Sequence, residues 1–235
     1  MQHIKALLFD KDGTLVDFEA TWGPTYQTAA RAMFGDDAAL IGRILTKGGL
    51  TGNGRFAANS LLAAGSYRDI AEDWMAYADG HTTESALELL TPHFEDGAVN
   101  NAAPITDLAA LFKRLKSLGY TLGIATNDTV ASARRTAGRL IDADDIDFIV
   151  GCDSGYGGKP EPGMFQAFAE AVGIAPENIA MIGDNMHDLE MGRRGNAGAL
   201  IGVLSGASTR EQLQPPADHV IDSVAALPEL LGRHR

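Results

Sequence analysis

Four short clusters in this sequence bring together the residue types that chemistry at phosphorus requires. The first is Asp10-Lys11-Asp12-Gly13-Thr14. Two carboxylates at i and i+2, leaving an apolar run on a turn, can point into one pocket, and Gly13 allows the tight turn. Aspartate is a competent nucleophile toward phosphorus and gives an acyl phosphate. A second carboxylate can protonate the leaving oxygen and later deprotonate water. Taken alone, this pair also fits an ordinary turn or part of a calcium loop. The second cluster is Thr126-Asn127-Asp128, a hydroxyl and an amide at a helix start, where free backbone N–H groups favour anions. Alone it reads equally well as a plain cap. The third is Gly157-Gly158-Lys159-Pro160-Glu161-Pro162. A lysine held between glycines and proline can serve as a fixed point charge against phosphate. The fourth is Gly183-Asp184-Asn185-Met186-His187-Asp188. Its two carboxylates suit a hard cation, and oxygen ligands favour magnesium over zinc.

Each cluster follows a short apolar run. Ile4 to Phe9 leads into Asp10, Tyr120 to Ala125 into Thr126, and Ile179 to Ile182 into Gly183-Asp184. Phe148 to Val150, Ala199 to Leu204 and His219 to Ile221 are further runs of this kind. Near-continuous apolar runs this short read as strands buried on both faces, hence a parallel sheet. Helical spacing fills the intervals. Leu108, Leu111, Phe112, Leu115 and Leu118 form one stripe that stops at Gly119. Met164, Phe165, Phe168 and Val172 form another that stops at Gly173. Asp128 is placed to cap a helix through Ala131 to Leu140. The alternation predicts an α/β fold, a doubly wound parallel sheet. Ligands of such sheets bind at the carboxyl ends of the strands, where the four clusters fall.

One interval breaks the alternation. Residues 17–101 carry no strong strand signal and are alanine-rich and helical in pattern. Phe18, Trp22, Tyr26, Ala29 and Met33 share one stripe, and Ile70, Trp74, Met75 and Ala78 another. These aromatic stripes read as core rather than as a ligand box. Lys47 to Gly54 is a glycine-rich break, and Gly97 to Pro104 reads as a linker. The domain expectation is a core of residues 1–16 and 102–235 with an inserted α-helical cap of residues 17–101.

The chain has 235 residues, 45% of them hydrophobic, enough to bury a sizeable core. Its net charge of -12 repels nucleic-acid backbones at long range, so no nucleic-acid partner is expected. A small anionic substrate remains compatible, because a local site or a metal overrides the global field. Cys152 is the single cysteine and reads as a small buried hydrophobe. It cannot form an internal disulfide, and no apolar run reaches the roughly 18 residues of a membrane span. The N-terminus has no signal-peptide layout. A cytoplasmic protein with no membrane partner is expected.

The four motifs in this order resemble the haloacid dehalogenase superfamily, and phosphoglycolate-phosphatase-like members in particular. They stand here as Phe9 to Asp17, Ile124 to Asp128, Gly158 to Pro162 and Ile182 to Asp188. The resemblance implies a Rossmann-like core, a helical cap after the first strand, magnesium, and a small phosphorylated metabolite as substrate. It makes Asp10 the nucleophile. Asp12 becomes the general acid and base and, through its carbonyl, a metal ligand with Asp10 and Asp184. Lys11, Thr126, Asn127 and Lys159 become phosphate-binding residues, with Thr126 and Lys159 also catalytic. Asp188 would orient Lys159 or stand with Asn185 in the outer ring around the metal. Aspartate at the position of Asp12 separates phosphatases and phosphomutases from dehalogenases within this superfamily. The implied reaction is hydrolysis of a phosphate monoester through an aspartyl-phosphate, 2-phosphoglycolate being one candidate. A sugar phosphomutase, or a catalytically idle binding protein on the same scaffold, are the alternatives. The stretch between Asn127 and Lys159 holds one helix and one strand, too little for a second large cap. Substrate selection would then fall to the inserted helices, with Lys47 and Arg55 the candidates to meet a substrate anion. Oligomeric state is not legible.

Overall fold

The computed structural model describes all residues except 59, 79 and 233–235. Six parallel strands form one sheet: β1 (Ala6–Phe9), β2 (Thr121–Thr126), β3 (Phe148–Gly151), β4 (Ile179–Gly183), β5 (Ala199–Val203) and β6 (His219–Ile221). Their order is β3-β2-β1-β4-β5-β6. The chain therefore builds outward from β1 on one side, then returns to build on the other. This reversal sets the ends of β1 and β4 side by side, with Phe9 opposite Ile182. A crevice opens at the carboxyl ends at such a switch point.

Eleven α-helices lie among the described residues. Five fall within residues 17–101: α1 (Phe18–Phe34), α2 (Ala38–Lys47), α3 (Leu61–Ala64), α4 (Tyr67–Met75) and α5 (Thr83–Asn100). The other six are α6 (Leu108–Ser117), α7 (Val130–Leu140), α8 (Gly163–Val172), α9 (Met186–Arg194), α10 (Arg210–Leu213) and α11 (Leu227–Gly232).

Side-chain alternation along the strands sends Leu7, Phe9, Leu122, Ile124 and Ile182 to one face, against Leu111, Phe112 and Leu115 of α6. Ala6, Leu8, Val150, Ile179 and Met181 go to the other face, against Phe165 and Phe168 of α8. Burial on both faces explains the uninterrupted apolar runs. The first five helices share a third cluster built on Trp22, Tyr26, Trp74, Leu90 and Phe94. Both chain passages to this layer lie together. Asp17 N–H donates to Ala103 O at 2.8 Å and Ile105 N–H to Leu15 O at 2.9 Å.

Two local expectations are corrected. Gly97 to Pro104 is not a linker throughout, because α5 continues to Asn100. The small side chains there serve helix packing. A Cβ on Gly97 would stand 2.4 Å from Thr25 Oγ1, and Ala98 is fully buried. Asp128 is not the cap of α7: Thr129 is, its side chain accepting from Ser132 N–H.

Candidate active site

The four clusters converge. Asp10 leaves β1, Thr126 ends β2, Lys159 sits in the loop after β3, and Asp184 follows β4. All four are buried and line one cavity. Lys159 Nζ forms an ion pair with Asp10 Oδ1 and a second with Asp188 Oδ1 at 2.7 Å. Asp188 lies in the first turn of α9, where its other oxygen accepts from Asn185 N–H at 3.0 Å. Asn185 is the cap of that helix, its side chain accepting from His187 N–H. Helix capping thus locks the carboxylate that holds the lysine.

Asp10, Asp184 and Asp188 offer oxygens that all lie within 4.8 Å of one another. Asp10 Oδ2 is buried with no hydrogen-bond partner, an arrangement that is costly unless a ligand completes it. Burial pushes the Asp10 carboxyl up to about 6 even with Lys159 beside it, and Asp188 adds to the rise. Burial, then the Asp10 and Asp188 charges, hold Asp184 well above the ordinary carboxylate range. An all-oxygen set of crowded carboxylates, one oxygen orphaned, fits a hard divalent cation. Asp184 is further fixed by Ala207 N–H at 3.0 Å and Thr14 Oγ1 at 3.4 Å. Two close backbone approaches confine it. Gly13 has φ 87°, and a Cβ there would lie 2.7 Å from the Asp184 carboxylate; a Cβ on Gly206 would lie 1.9 Å from its Oδ2.

Asp12 stands apart from that trio. Its Oδ1 accepts from Trp22 Nε1 at 2.8 Å and its Oδ2 pairs with Lys11 Nζ at 2.8 Å. Burial raises its pKa, with Lys11 opposing and the Asp128 and Asp10 charges adding. Asp188, expected either to orient Lys159 or to stand in the outer ring, pairs with Lys159 and offers an oxygen to the same cluster as Asp10 and Asp184. Lys11, expected to bind phosphate, has its ammonium buried between Asp12 and Asp128, 3.0 Å from the latter. These two carboxylates more than offset its burial and raise its pKa. Asp128 also accepts from Tyr67 Oη, and from Ser132 Oγ at 2.6 Å. Burial beside Asp128 keeps Tyr67 protonated, its pKa well above the ordinary value.

Thr126 Oγ1 accepts from Asp128 N–H at 3.1 Å. Asn127 Oδ1 accepts from Lys159 N–H at 2.7 Å, and its amide reaches Ala64 O at 3.4 Å, tying two strand-end loops to the helical layer. Lys47 lies elsewhere, paired with Asp73 at 2.7 Å and over the Tyr77 ring. Arg55 donates to Glu19 at 3.3 Å and to Gly206 O at 3.4 Å. Neither lines the cavity, although the Gly206 that Arg55 reaches packs against Asp184. The helical wall of the cavity is instead aromatic and aliphatic: Phe18, Trp22, Tyr26, Leu62 and Tyr67. The aromatic stripe of α1 is thus both core and site wall. Cys152 is only partly buried; burial, with Asp153 and Asp128, pushes its thiol up to about 11.

Sequence reasoning missed Trp22, Tyr67 and the Ser205-Gly206-Ala207 loop. The loop's signal was its place after β5, with Ser205 Oγ donating to Gly13 O at 2.7 Å. Trp22 and Tyr67 look like core residues in sequence, and only the fold shows their polar ends meeting Asp12 and Asp128.

This arrangement has counterparts among known proteins. A family model described as haloacid dehalogenase-like hydrolase matches residues 4–196. The chain belongs to that family. It is 30% identical to phosphoglycolate phosphatase of Rhodospirillum rubrum over 97% of its own length and 91% of the relative's. It is 24% identical to N-acetylmuramic acid 6-phosphate phosphatase of Pseudomonas aeruginosa, covering 98% and 96% of the two chains. The structure of a hydrolase from Pseudomonas syringae superposes with a TM-score of 0.71 at 23% identity, over 98% of each chain. The protein is a phosphatase of this family. No helix among the described residues is long and apolar enough to cross a membrane.

Proposed function

We propose that the protein hydrolyses a small-molecule phosphate monoester with Asp10 as nucleophile and magnesium as cofactor. The observation that carries this is the state of Asp10. One oxygen is held by Lys159 and the other is buried without a partner, at the switch point of the sheet. Asp10 attacks the phosphorus and the ester oxygen departs, leaving an aspartyl-phosphate. Asp12, aimed by Trp22 and Lys11, gives the departing oxygen its proton and later takes one from the water that releases phosphate. Its raised pKa favours holding that proton. Thr126 and Asn127 receive the phosphoryl oxygens, and Lys159 balances their charge. Asp10, Asp184 and the Asp12 carbonyl would hold the magnesium, with Asp188 and Asn185 supporting it. When bound, the ion neutralises charge on the phosphoryl oxygens.

Residues 17–101 would act as a cap closing on a core of residues 1–16 and 102–235 and excluding water. The seam supports this. Trp22 and Tyr67 reach Asp12 and Asp128 across it, and Thr129 Oγ1 meets Glu95 at 2.6 Å.

The test is phosphate release from a panel of monoesters, with magnesium or with chelator, by the wild type and Asp10→Asn. Uncatalysed monoester hydrolysis is so slow that enhancements reach about 10^21. The variant should keep less than about 1% of the rate, since an amide in place of the nucleophilic carboxylate cannot form the acyl phosphate. Turnover that survives either chelation or the substitution contradicts the proposal.

A further inference from the structure

Lys11 and Lys159 are both buried, and each ammonium lies between two carboxylates. Lys159 pairs with Asp10 and Asp188. Lys11 pairs with Asp12 at 2.8 Å and with Asp128 at 3.0 Å. In the first set Asp10 is the proposed nucleophile, and Asp188 is fastened at the start of α9. The second set has the same plan. Asp12 is the proposed acid and base, and Asp128 is fastened beside the start of α7. The catalytic steps assign Asp128 no part, although it is buried and lines the cavity.

The contacts of Asp128 decide what part it can take. Its Oδ1 accepts from Tyr67 Oη and from Thr129 N–H at 2.7 Å. Its Oδ2 accepts from Ser132 Oγ at 2.6 Å and pairs with Lys11. A carboxylate has about four lone-pair directions, and these donors fill them. Asp128 is therefore a fixed anion with nothing left for a substrate. Lys11 is the opposite kind of group, a compact point charge on a flexible stem. It donates to Asp12 Oδ1 at 3.0 Å as well as pairing with Oδ2, and it lies 5.8 Å from the centre of the Trp22 ring. With Asp12 as its sole anion, the ammonium could follow that carboxylate wherever it turned. Asp128 gives it a second anchor tied to α4 and α7, so Asp12 is held against a group that is itself held.

We infer that Asp128 is a positioning residue of the reaction: through Lys11 it fixes the direction in which Asp12 presents its carboxyl to the leaving group. The inference rests on the phosphatase reading above and adds a residue to it. It also accounts for a buried ion pair that a pair of apolar side chains could replace without loss of stability.

A double-mutant cycle on Asp128 and Lys11 tests it. The readout is kcat/KM for two kinds of ester. One is glycerol 3-phosphate or glucose 6-phosphate, whichever alkyl ester is hydrolysed faster. The other is p-nitrophenyl phosphate, whose leaving group needs no proton. Asp128→Asn keeps the shape and removes the charge. It should lower kcat/KM for the alkyl ester by at least about tenfold and for the aryl ester by no more than about threefold. Lys11→Met should show the same selectivity. The double variant should lose no more than Lys11→Met alone, because Asp128 acts through the lysine; independent effects would multiply. Tyr67→Phe removes one donor to Asp128 and keeps the ring. It is the second variant if Asp128→Asn does not fold, and its loss should also fall on the alkyl ester. Equal losses for both esters, losses that multiply, or an alkyl ester rate unchanged in Asp128→Asn each overturn the inference and leave the phosphatase intact. A wild type that hydrolyses no alkyl ester overturns the function beneath it and the inference with it.

Discussion

Asp10 is the residue on which the chemistry turns, and its environment makes a prediction about stability. Burial pushes its carboxyl up to about 6 in the folded, metal-free protein, against an ordinary value of 3.8. The folded state therefore binds more protons than the unfolded state between those values. Linkage gives the sign: the contribution of this group favours folding at pH below about 4 and is lost as pH rises through about 6. Asp10→Asn cannot ionise, so it should gain stability relative to metal-free wild type across that window. Urea denaturation of both chelated proteins at pH 4, 5, 6 and 7 measures it. A stability difference that stays constant with pH would contradict the burial-driven shift. At this scale the sequence was informative wherever a residue type had one plausible use. Asp10, Asp184 and Lys159 stand together as their motifs implied. Lys11 is not among the residues that line the cavity, and its ammonium pairs with Asp12 and Asp128. Residue type says that lysine seeks an anion without saying which of several will be nearest.

The helices that cover the sheet ends carry part of the machinery. Trp22 of α1 donates to Asp12 and Tyr67 of α4 donates to Asp128, while Lys11 bridges those two carboxylates. Trp22→Phe keeps the aromatic packing against Tyr26 and Phe94 and removes the donor. A hydrogen bond to a charged group contributes about 1.5–3 kcal/mol, so kcat/KM for alkyl phosphates should fall by roughly 10- to 100-fold. An aryl ester whose leaving group needs no proton should be nearly spared. Equal losses for both ester types would show that Trp22 only packs. The six strands and the helices α6 to α8 were legible because a doubly buried strand and an amphipathic helix have distinct periods. The end of α5 was not. Gly97 and Ala98 carry the composition of a linker, and only the closeness of α1 explains why small residues belong inside a helix there.

At the scale of the molecule, the strand order joins clusters far apart in sequence. β1 at the centre, with β2 on one side and β4 on the other, sets Asp10 between Thr126 and Asp184. Sequence could place each cluster at a strand end, and the rule for ligands of parallel sheets then implied convergence. It could not say which face of the helical layer would close over the site. Glycines and cations drew attention to Lys47 and Arg55, while the wall is built from Phe18, Trp22, Tyr26, Leu62 and Tyr67. Wall residues of this kind share the pattern of core residues, because the same burial favours both. The account's central claim is that this convergence makes Asp10 a covalent nucleophile. The most direct measurement is rapid acid quenching of the magnesium-loaded enzyme during turnover, followed by peptide mass analysis. The account predicts a phosphoryl group on the peptide bearing Asp10, absent in Asp10→Asn and lost on treatment with hydroxylamine. Brisk phosphate release with no phosphoryl group on that peptide, or with one on another residue, would contradict it.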